Sequence, residues 1–384
     1  MHILVTPQTF KGSLSNTEAA EAIAKGIRRV SPYAKIVLLP IADGGDGTIE
    51  ALLGIPSFRG NSASKFFKTV VTGPLGSPVE ATWAANPDAF AIIEMAKASG
   101  LALISQNQRD PLNTTTYGTG QLILAALDAG YTNIIVGLGG SATNDGGVGM
   151  AQALGAKFLD SSGCNLTFGG ANLANIKTID LKDVDPRLKR TRLIGAADVM
   201  NQLCGSEGAS KIYGPQKGAS KKMVLQLDKA LLHYANLIYQ QIGINVLSMP
   251  GAGSAGGTGA GLVALLGGEL FPGADLVSEM IDINKYLIKA DLVFTGEGKL
   301  DHQTLYNKAP LIIAKRARKL GVPVIAVVGS LGNGYKDILK QGIIAIEPTT
   351  RNPKPRKTHM LNASESLSTA AEKAMRKYLM QEPL

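Results

Sequence analysis

The stretch Gly137–Gly149, GLGGSATNDGGVG, sets six glycines around one ionisable residue, Asp145, directly after the apolar run Asn133-Ile134-Ile135-Val136. Glycine lets a backbone approach a ligand closely and present its N–H groups, and a following helix adds a positive dipole end. A strand, glycine turn and helix in that order therefore suit an anion. Gly139, Gly140, Ser141 and Asn144 are the candidate anion contacts. A single carboxylate cannot serve the anion itself; Asp145 must serve a metal, a hydroxyl, a proton or its own turn.

Other apolar runs end in the same way. Pro7–Ser13 (PQTFKGS) leaves the first strand and enters the first helix, so Lys11 and Ser13 fall where α/β proteins bind ligands. Ala42–Thr48 (ADGGDGT) sets Asp43 and Asp46 around Gly44 and Gly45, a turn able to hold a cation or merely to reverse the chain. Gly195–Met200 (GAADVM) closes an apolar run at Asp198, and Tyr213–Gly218 (YGPQKG) presents Gln216 and Lys217. Thr295–Asp301 (TGEGKLD) carries Glu297, Lys299 and Asp301. Each segment alone has an ordinary reading as a loop, a helix cap or a solvated lysine. Together they offer what phosphoryl transfer requires, namely metal ligands, a base for a hydroxyl and cations for developing charge.

Pro250–Gly261 (PGAGSAGGTGAG) supplies the rival readings. Gly251, Gly253 and Gly256 satisfy GxGxxG with Asp275 beyond, the fingerprint of a nicotinamide-dependent oxidoreductase of a small hydroxy acid. Pro250 interrupts the strand side of that pattern, and Asp275 sits in a turn-like FPGAD. AGSAG around Ser254 also approximates the nucleophile elbow of a serine hydrolase, with His302 or His359 as base, although alanine replaces the first glycine. A binding module would not need so many carboxylates at strand ends. No GxxxxGK[ST] sequence occurs, so a kinase here uses another phosphate cradle.

The elements that must position these groups follow from periodicity. His2–Val5 reads as a strand, Ser15 and Glu18 as a capping box, and Ala20, Ile23, Ala24, Ile27 and Val30 as a helical apolar stripe. Lys35–Pro40 reads as the next strand; near the other end the same alternation returns as strand Asp291–Phe294, helix Leu305–Lys319, strands Pro323–Val328 and Gly342–Ile346, and helix Glu365–Leu379. Such apolar strands indicate one buried parallel sheet built from both ends of the chain. The middle differs, with extended segments around Lys68–Thr72 and Val79–Trp83 and a long helix near Lys222–Gln241. The expected fold is α/β: a Rossmann-like domain of residues 1–64 plus 285–384 and an inserted α/β domain of residues 65–284, with the site in the cleft between them.

Composition limits the rest. The 384 residues exceed what one core usually supports. Glycine makes up 45 of them, about 12% against a usual ~7%, while Phe and Trp number 9 and 1. The net charge of +9 is scattered apart from KRARK and KPRK, and no aromatics interleave, which argues against a nucleic-acid partner and suits small anions. Cys164 and Cys204 lack metal spacing, and no segment approaches 18 apolar residues, so the reading is a cytoplasmic protein with no membrane partner.

The series PQTFKGSLS, ADGGDGT, EMAKASGL, DPLNTTTYGTG, GLGGSATNDGG, YGPQKGA, PGAGSAGGTGAG, TGEGKLDHQTL and PVIAVVGSLG resembles, in this order, the bacterial glycerate kinase family, class I, from the first strand to about residue 332. The resemblance implies ATP-dependent phosphorylation of D-glycerate, usually at the 2-hydroxyl, with Mg²⁺, by two α/β domains, one Rossmann-like and discontinuous and the other inserted; a monomer or homodimer is expected. Carried onto this chain, Asp198 or Asp145 would orient and deprotonate the hydroxyl, with Lys11 and Lys217 neutralising carboxylate or phosphate. Gly253, Ser254, Gly256 and Gly257 would join the glycine turn of 137–149 around the substrates, and Asp46, Glu297 and Asp301 would face Mg²⁺ or its water shell. The chain departs from the family pattern at Gln8, where Asp is usual, at Asp46, where Glu is usual, at Ala197, where Cys is common, and in the tail after Ile346.

Overall fold

The computed structural model describes residues 1–53, 64–86, 90–197, 201–301, 308–350 and 362–380. The chain opens with β1 (His2–Pro7), α1 (Asn16–Val30) and β2 (Lys35–Leu38). It continues through β3 (Lys65–Thr72), β4 (Pro78–Asn86), β5 (Phe90–Glu94), α2 (Tyr117–Asp128), β6 (Asn133–Gly137), β7 (Arg192–Ala197), α3 (Lys221–Ile242), α4 (Ser254–Leu266) and β8 (Glu269–Pro272). It closes with β9 (Leu292–Gly296), α5 (Ala309–Lys319), β10 (Val324–Val328), β11 (Ile343–Pro348) and α6 (Ala363–Met380). Two compact units result, Met1–Arg59 with Ala274–Leu384, and Gly60–Gly273.

The first unit is a five-stranded parallel sheet in the order β11-β10-β9-β1-β2. The chain's first strand thus lies beside a strand almost three hundred residues later in sequence, Ile3 opposite Leu292 through Pro7 opposite Gly296. Strands β9 and β10 are buried along their whole length because helices cover both faces, which is why their sequences are continuously apolar. The edge strand β2 is largely exposed instead. Helix α1 starts at the expected capping box: Glu18 N–H donates to Ser15 Oγ at 3.1 Å and Ser15 N–H to Glu18 Oε2 at 2.8 Å. Its stripe Ala20, Ile23, Ala24 and Ile27 is buried, and α1 packs against α6. Gly26 permits that approach, since a Cβ there would lie 2.0 Å from Ser368 O.

The second unit carries a six-stranded mixed sheet in the order β8-β7-β6-β5-β4-β3. Strands β5 to β8 are parallel, and β4 runs antiparallel to β3 and β5. In the β3–β4 hairpin the single tryptophan, Trp83, is buried opposite Phe67 with ring centroids 4.1 Å apart, and its Nε1–H donates to Thr69 Oγ1 at 3.0 Å. The pair contributes roughly 0.5–1.5 kcal/mol beyond its burial. No helix among the described residues is long and apolar enough to cross a membrane.

The two glycine-rich segments of this unit pack backbone on backbone. Gly146 N–H donates to Gly256 O at 3.1 Å, and the start of α4 is wound left-handed at Ala255, Gly256 and Gly257, with φ of 54°, 72° and 91°. A Cβ on Gly256 would lie 2.0 Å from Thr143 O, so no side chain fits without moving the neighbouring turn. Gly256→Ala should cost about 2–5 kcal/mol, combining overpacking with left-handed strain. Gly130→Ala, at φ 88° in open space, should cost about 1–2 kcal/mol from strain alone. Urea unfolding of both variants checks the difference; equal losses would refute the packing argument.

Candidate functional site

In the first unit the carboxyl ends of β1 and β9 are register neighbours, and the loops leaving them are tied together by Gln8 N–H donating to Gly296 O at 2.8 Å. The loop after β2 joins them: Thr9 Oγ1 donates to Asp46 O at 3.0 Å and Asn16 Nδ2 to Gly47 O at 3.0 Å. PQTFKGS, ADGGDGT and TGEGKLD therefore share one edge of the sheet. Lys11 and Ser13 are exposed there, Ser13 Oγ donating to Phe10 O at 2.9 Å. Asp43 is buried with Gly44 and Gly45, whereas Asp46 is exposed.

Glu297 and Asp301 are both buried, Glu297 3.8 Å from Lys308 Nζ and Asp301 2.9 Å from Lys299 Nζ. Among the described residues no three or more His, Cys, Asp or Glu gather to hold a metal ion. The donors at this edge are carboxylate oxygens, which fit Mg²⁺; that ion commonly takes one or two carboxylates and completes its shell with water and phosphate oxygens.

The second unit presents its own edge, with Glu94, Gly137 and Ala196 level at the ends of β5, β6 and β7. The turn after β6 is pinned by Leu138 N–H to Ala196 O (3.0 Å), Leu101 N–H to Gly140 O (2.8 Å) and Ala142 N–H to Ser99 O (2.9 Å). Asp145 is buried and its carboxylate accepts four hydrogen bonds. Oδ2 takes Thr116 N–H and Thr116 Oγ1–H, both at 2.8 Å, and Gly149 N–H at 3.3 Å; Oδ1 takes Gly147 N–H at 3.2 Å. Burial pushes the Asp145 pKa up, and these donors pull against it.

That bonding revises the expected anion site. The helix after the turn, Val148–Ala153, has six residues, and the amides at its start are taken up internally by Asp145 and by Thr116 Oγ1, which accepts Met150 N–H at 2.9 Å. The open part is the first half. Among the described residues the amides of Gly139, Gly140 and Ser141 meet no acceptor, and the buried Thr143 Oγ1 and Asn144 Oδ1 have no partner.

Lys217 underlies this half-turn. It is 2% exposed, and its Nζ donates to Ser141 Oγ at 2.8 Å and Thr143 O at 2.6 Å. Burial pulls its pKa down to about 7, with the Asp145 charge opposing the fall. Lys217 is thus a buried amine bonded to Ser141 and Thr143, not an exposed cation. Its neighbour Gln216 is exposed, with its carbonyl accepting from Arg109 Nη1 at 3.1 Å.

Pro250–Gly261 does not have the context of either rival reading. Turns, not a strand, lead into α4, and Asp275 lies in the first turn of a helix, 3.1 Å from Arg316 Nη2. Gly253, Gly256 and Gly257 have close backbone neighbours in Gln202, Thr143 and Gly146, so their smallness serves packing. Ser254 is 1% exposed. Asp198, His302 and His359 lie outside the described residues.

Two residues at this edge were not singled out from the sequence. Glu94 ends the buried strand β5, with Lys97 Nζ 3.7 Å away, and Thr116 closes on Asp145. A carboxylate ending the apolar run FAII is a readable signal for Glu94; nothing in the run TTT distinguishes Thr116 from its neighbours. Lysine burial supplies a check on the site's electrostatics. Between pH 7 and 10.5 the unfolded chain holds a proton on Lys217 that the folded chain lacks, so Lys217 makes stability rise with pH through that window. Urea midpoints at pH 7, 8 and 9 should therefore climb more steeply in the wild type than in Lys217→Met. Parallel pH dependences would show that Lys217 is not a buried, depressed amine.

The glycerate kinase family profile matches residues 3–379. The chain is 48% identical to a glycerate kinase of Halalkalibacterium halodurans over 344 residues, 89% of each chain. It is 47% identical to the glycerate 2-kinase of Escherichia coli over 347 residues, 90% of each. A crystal structure from Salmonella typhimurium, proposed there to be glycerate kinase 2, superposes with a TM-score of 0.82 at 41% identity and covers 100% of both chains.

Proposed function

The chain belongs to the glycerate kinase family, and we propose that it transfers the γ-phosphoryl group of ATP to D-glycerate to give 2-phospho-D-glycerate. The observation that carries the assignment to particular residues is the half-turn Gly139–Ser141, with free amides above the buried Lys217 ammonium. An anionic group of the bound substrates suits this half-turn, held by backbone N–H groups and by Ser141, whose hydroxyl Lys217 polarises from beneath.

Lys11 and Ser13, exposed at the other unit's sheet edge, are assigned to the charge of phosphate or carboxylate. Glu297 and Asp301 would hold Mg²⁺, with Asp46 reaching its water shell. When bound with ATP, that ion neutralises charge between the phosphates. Asp198 is assigned as the base that orients the glycerate 2-hydroxyl and takes its proton during in-line attack on the γ-phosphorus, ADP leaving on the opposite side. The carboxylate of Asp145 already accepts four hydrogen bonds, which makes Asp198 the better candidate for this role.

ADP release coupled to a reporter, with MgATP and glycerate, tartronate, glycolate or hydroxypyruvate in turn, should be fastest with D-glycerate, and phosphorus NMR should show the 2-phosphate ester. Asp198→Asn should lower kcat by ~10²–10⁴-fold, the usual contribution of a positioned base. Absence of glycerate-dependent ADP release, or a 3-phosphate product, would overturn the assignment of activity or of the attacking hydroxyl.

A further inference from the structure

Thr116 lies between two segments that the proposed chemistry treats separately. Its side chain is fully buried, its N–H and Oγ1–H both donate to Asp145 Oδ2 at 2.8 Å, and its Oγ1 accepts Met150 N–H at 2.9 Å. Asp145 takes the amides of Gly147 and Gly149. The pair thus takes up three amides on the helical side of the turn: Gly147 and Gly149 go to the carboxylate and Met150 to the hydroxyl, while Gly146 N–H goes to Gly256 O and Val148 N–H to Asp145 O. The amides of Gly139, Gly140 and Ser141, before that half, meet no acceptor among the described residues.

The packing enforces this division. A Cβ on Gly149 would lie 2.3 Å from Thr115 Oγ1, 2.8 Å from Tyr117 N and 3.0 Å from Asp145 Oδ2, so the TTTYG segment and the turn meet with no space to spare. On the far side Tyr234 Oη donates to Gly146 O at 3.1 Å, and Gly256 O receives the Gly146 amide. The second half of the turn is therefore fixed from three elements, while the first half, held by Ala196, Leu101, Ser99 and Lys217, faces outward at Gly140.

We propose that Thr116 and Asp145 are a positioning pair: they close the helical half of the 137–149 turn and thereby set where the Gly139–Ser141 amides hold the substrate's anionic group. The pair does not touch the substrate. This inference rests on the reading that those amides bind substrate, and on the glycerate kinase activity proposed above.

A positioning role and a proton-transfer role separate kinetically. Loss of positioning weakens substrate binding and raises KM, whereas loss of a base lowers kcat with KM little changed. Thr116→Val, isosteric but without the hydroxyl, should raise KM for D-glycerate or for MgATP at least ~10-fold, measured well below its melting temperature so that the folded enzyme is what is assayed. Thr116→Ser should restore KM to within ~3-fold of wild type. Asp145→Asn, which keeps one acceptor oxygen, should raise the same KM with kcat within ~5-fold of wild type.

Wild-type KM in Thr116→Val, or a kcat loss of ~100-fold in Asp145→Asn at unchanged KM, would overturn the proposal. If Thr116→Val does not fold, the Asp145→Asn split and the Thr116→Ser value decide by themselves. Failure of the underlying reading is distinguishable: the wild type would then show no glycerate-dependent ADP release at all.

Discussion

A carboxylate cannot be buried as an ion unless donors surround it, and the second unit is organised around meeting that demand at Asp145. Four donors converge on it from Thr116, Gly147 and Gly149. To bring them in, Thr116 at the start of α2 must sit against the turn, Gly149 must lack a side chain, and the segment after Gly146 must turn back at once. The glycines at 146 and 147, both with positive φ, make that return possible. Removing one donor would leave a buried charge partly unpaired, at a cost of about 1–3 kcal/mol.

Once the helical half is closed, the remaining features acquire a single purpose. The left-handed start of α4 lets Gly256 approach Gly146 and Thr143, and this contact supports the turn from below. Lys217 enters from a short segment whose Gly218, at φ 98°, folds against Arg109, and its ammonium reaches Ser141 and Thr143. A buried amine with its pKa near 7 beside open amides would give a bound anion a favourable field without exposing a mobile cation. The first unit solves a different problem, lining up three loops at the ends of β1, β2 and β9 so that buried carboxylates and exposed cations share one edge.

Much of this was legible in the amino-acid sequence because the signals were local. Apolar runs without alternation marked β1, β9 and β10 as parallel and buried, and Ser15 with Glu18 marked the start of α1. The glycine turn at 137–149 was visible for the same reason. Two things were not legible. The smallness of Gly256, Gly257 and Gly261 is demanded by a backbone more than a hundred residues earlier, a long-range contact that no local pattern encodes. The partition of the 137–149 turn depends on Thr116, one threonine in a run of three, whose distinction is only its place opposite Asp145.

One half of the 137–149 turn is spent on its own structure and, in the function proposed above, the other is left for substrate. Glycine-selective ¹⁵N labelling with amide NMR during titration by D-glycerate, and then by MgATP, reads both halves in one experiment. The Gly139 and Gly140 amides should move on saturation with one of these substrates while Gly147 and Gly149 stay in place. Shifts confined to Gly147 and Gly149, with Gly139 and Gly140 unmoved, would contradict it.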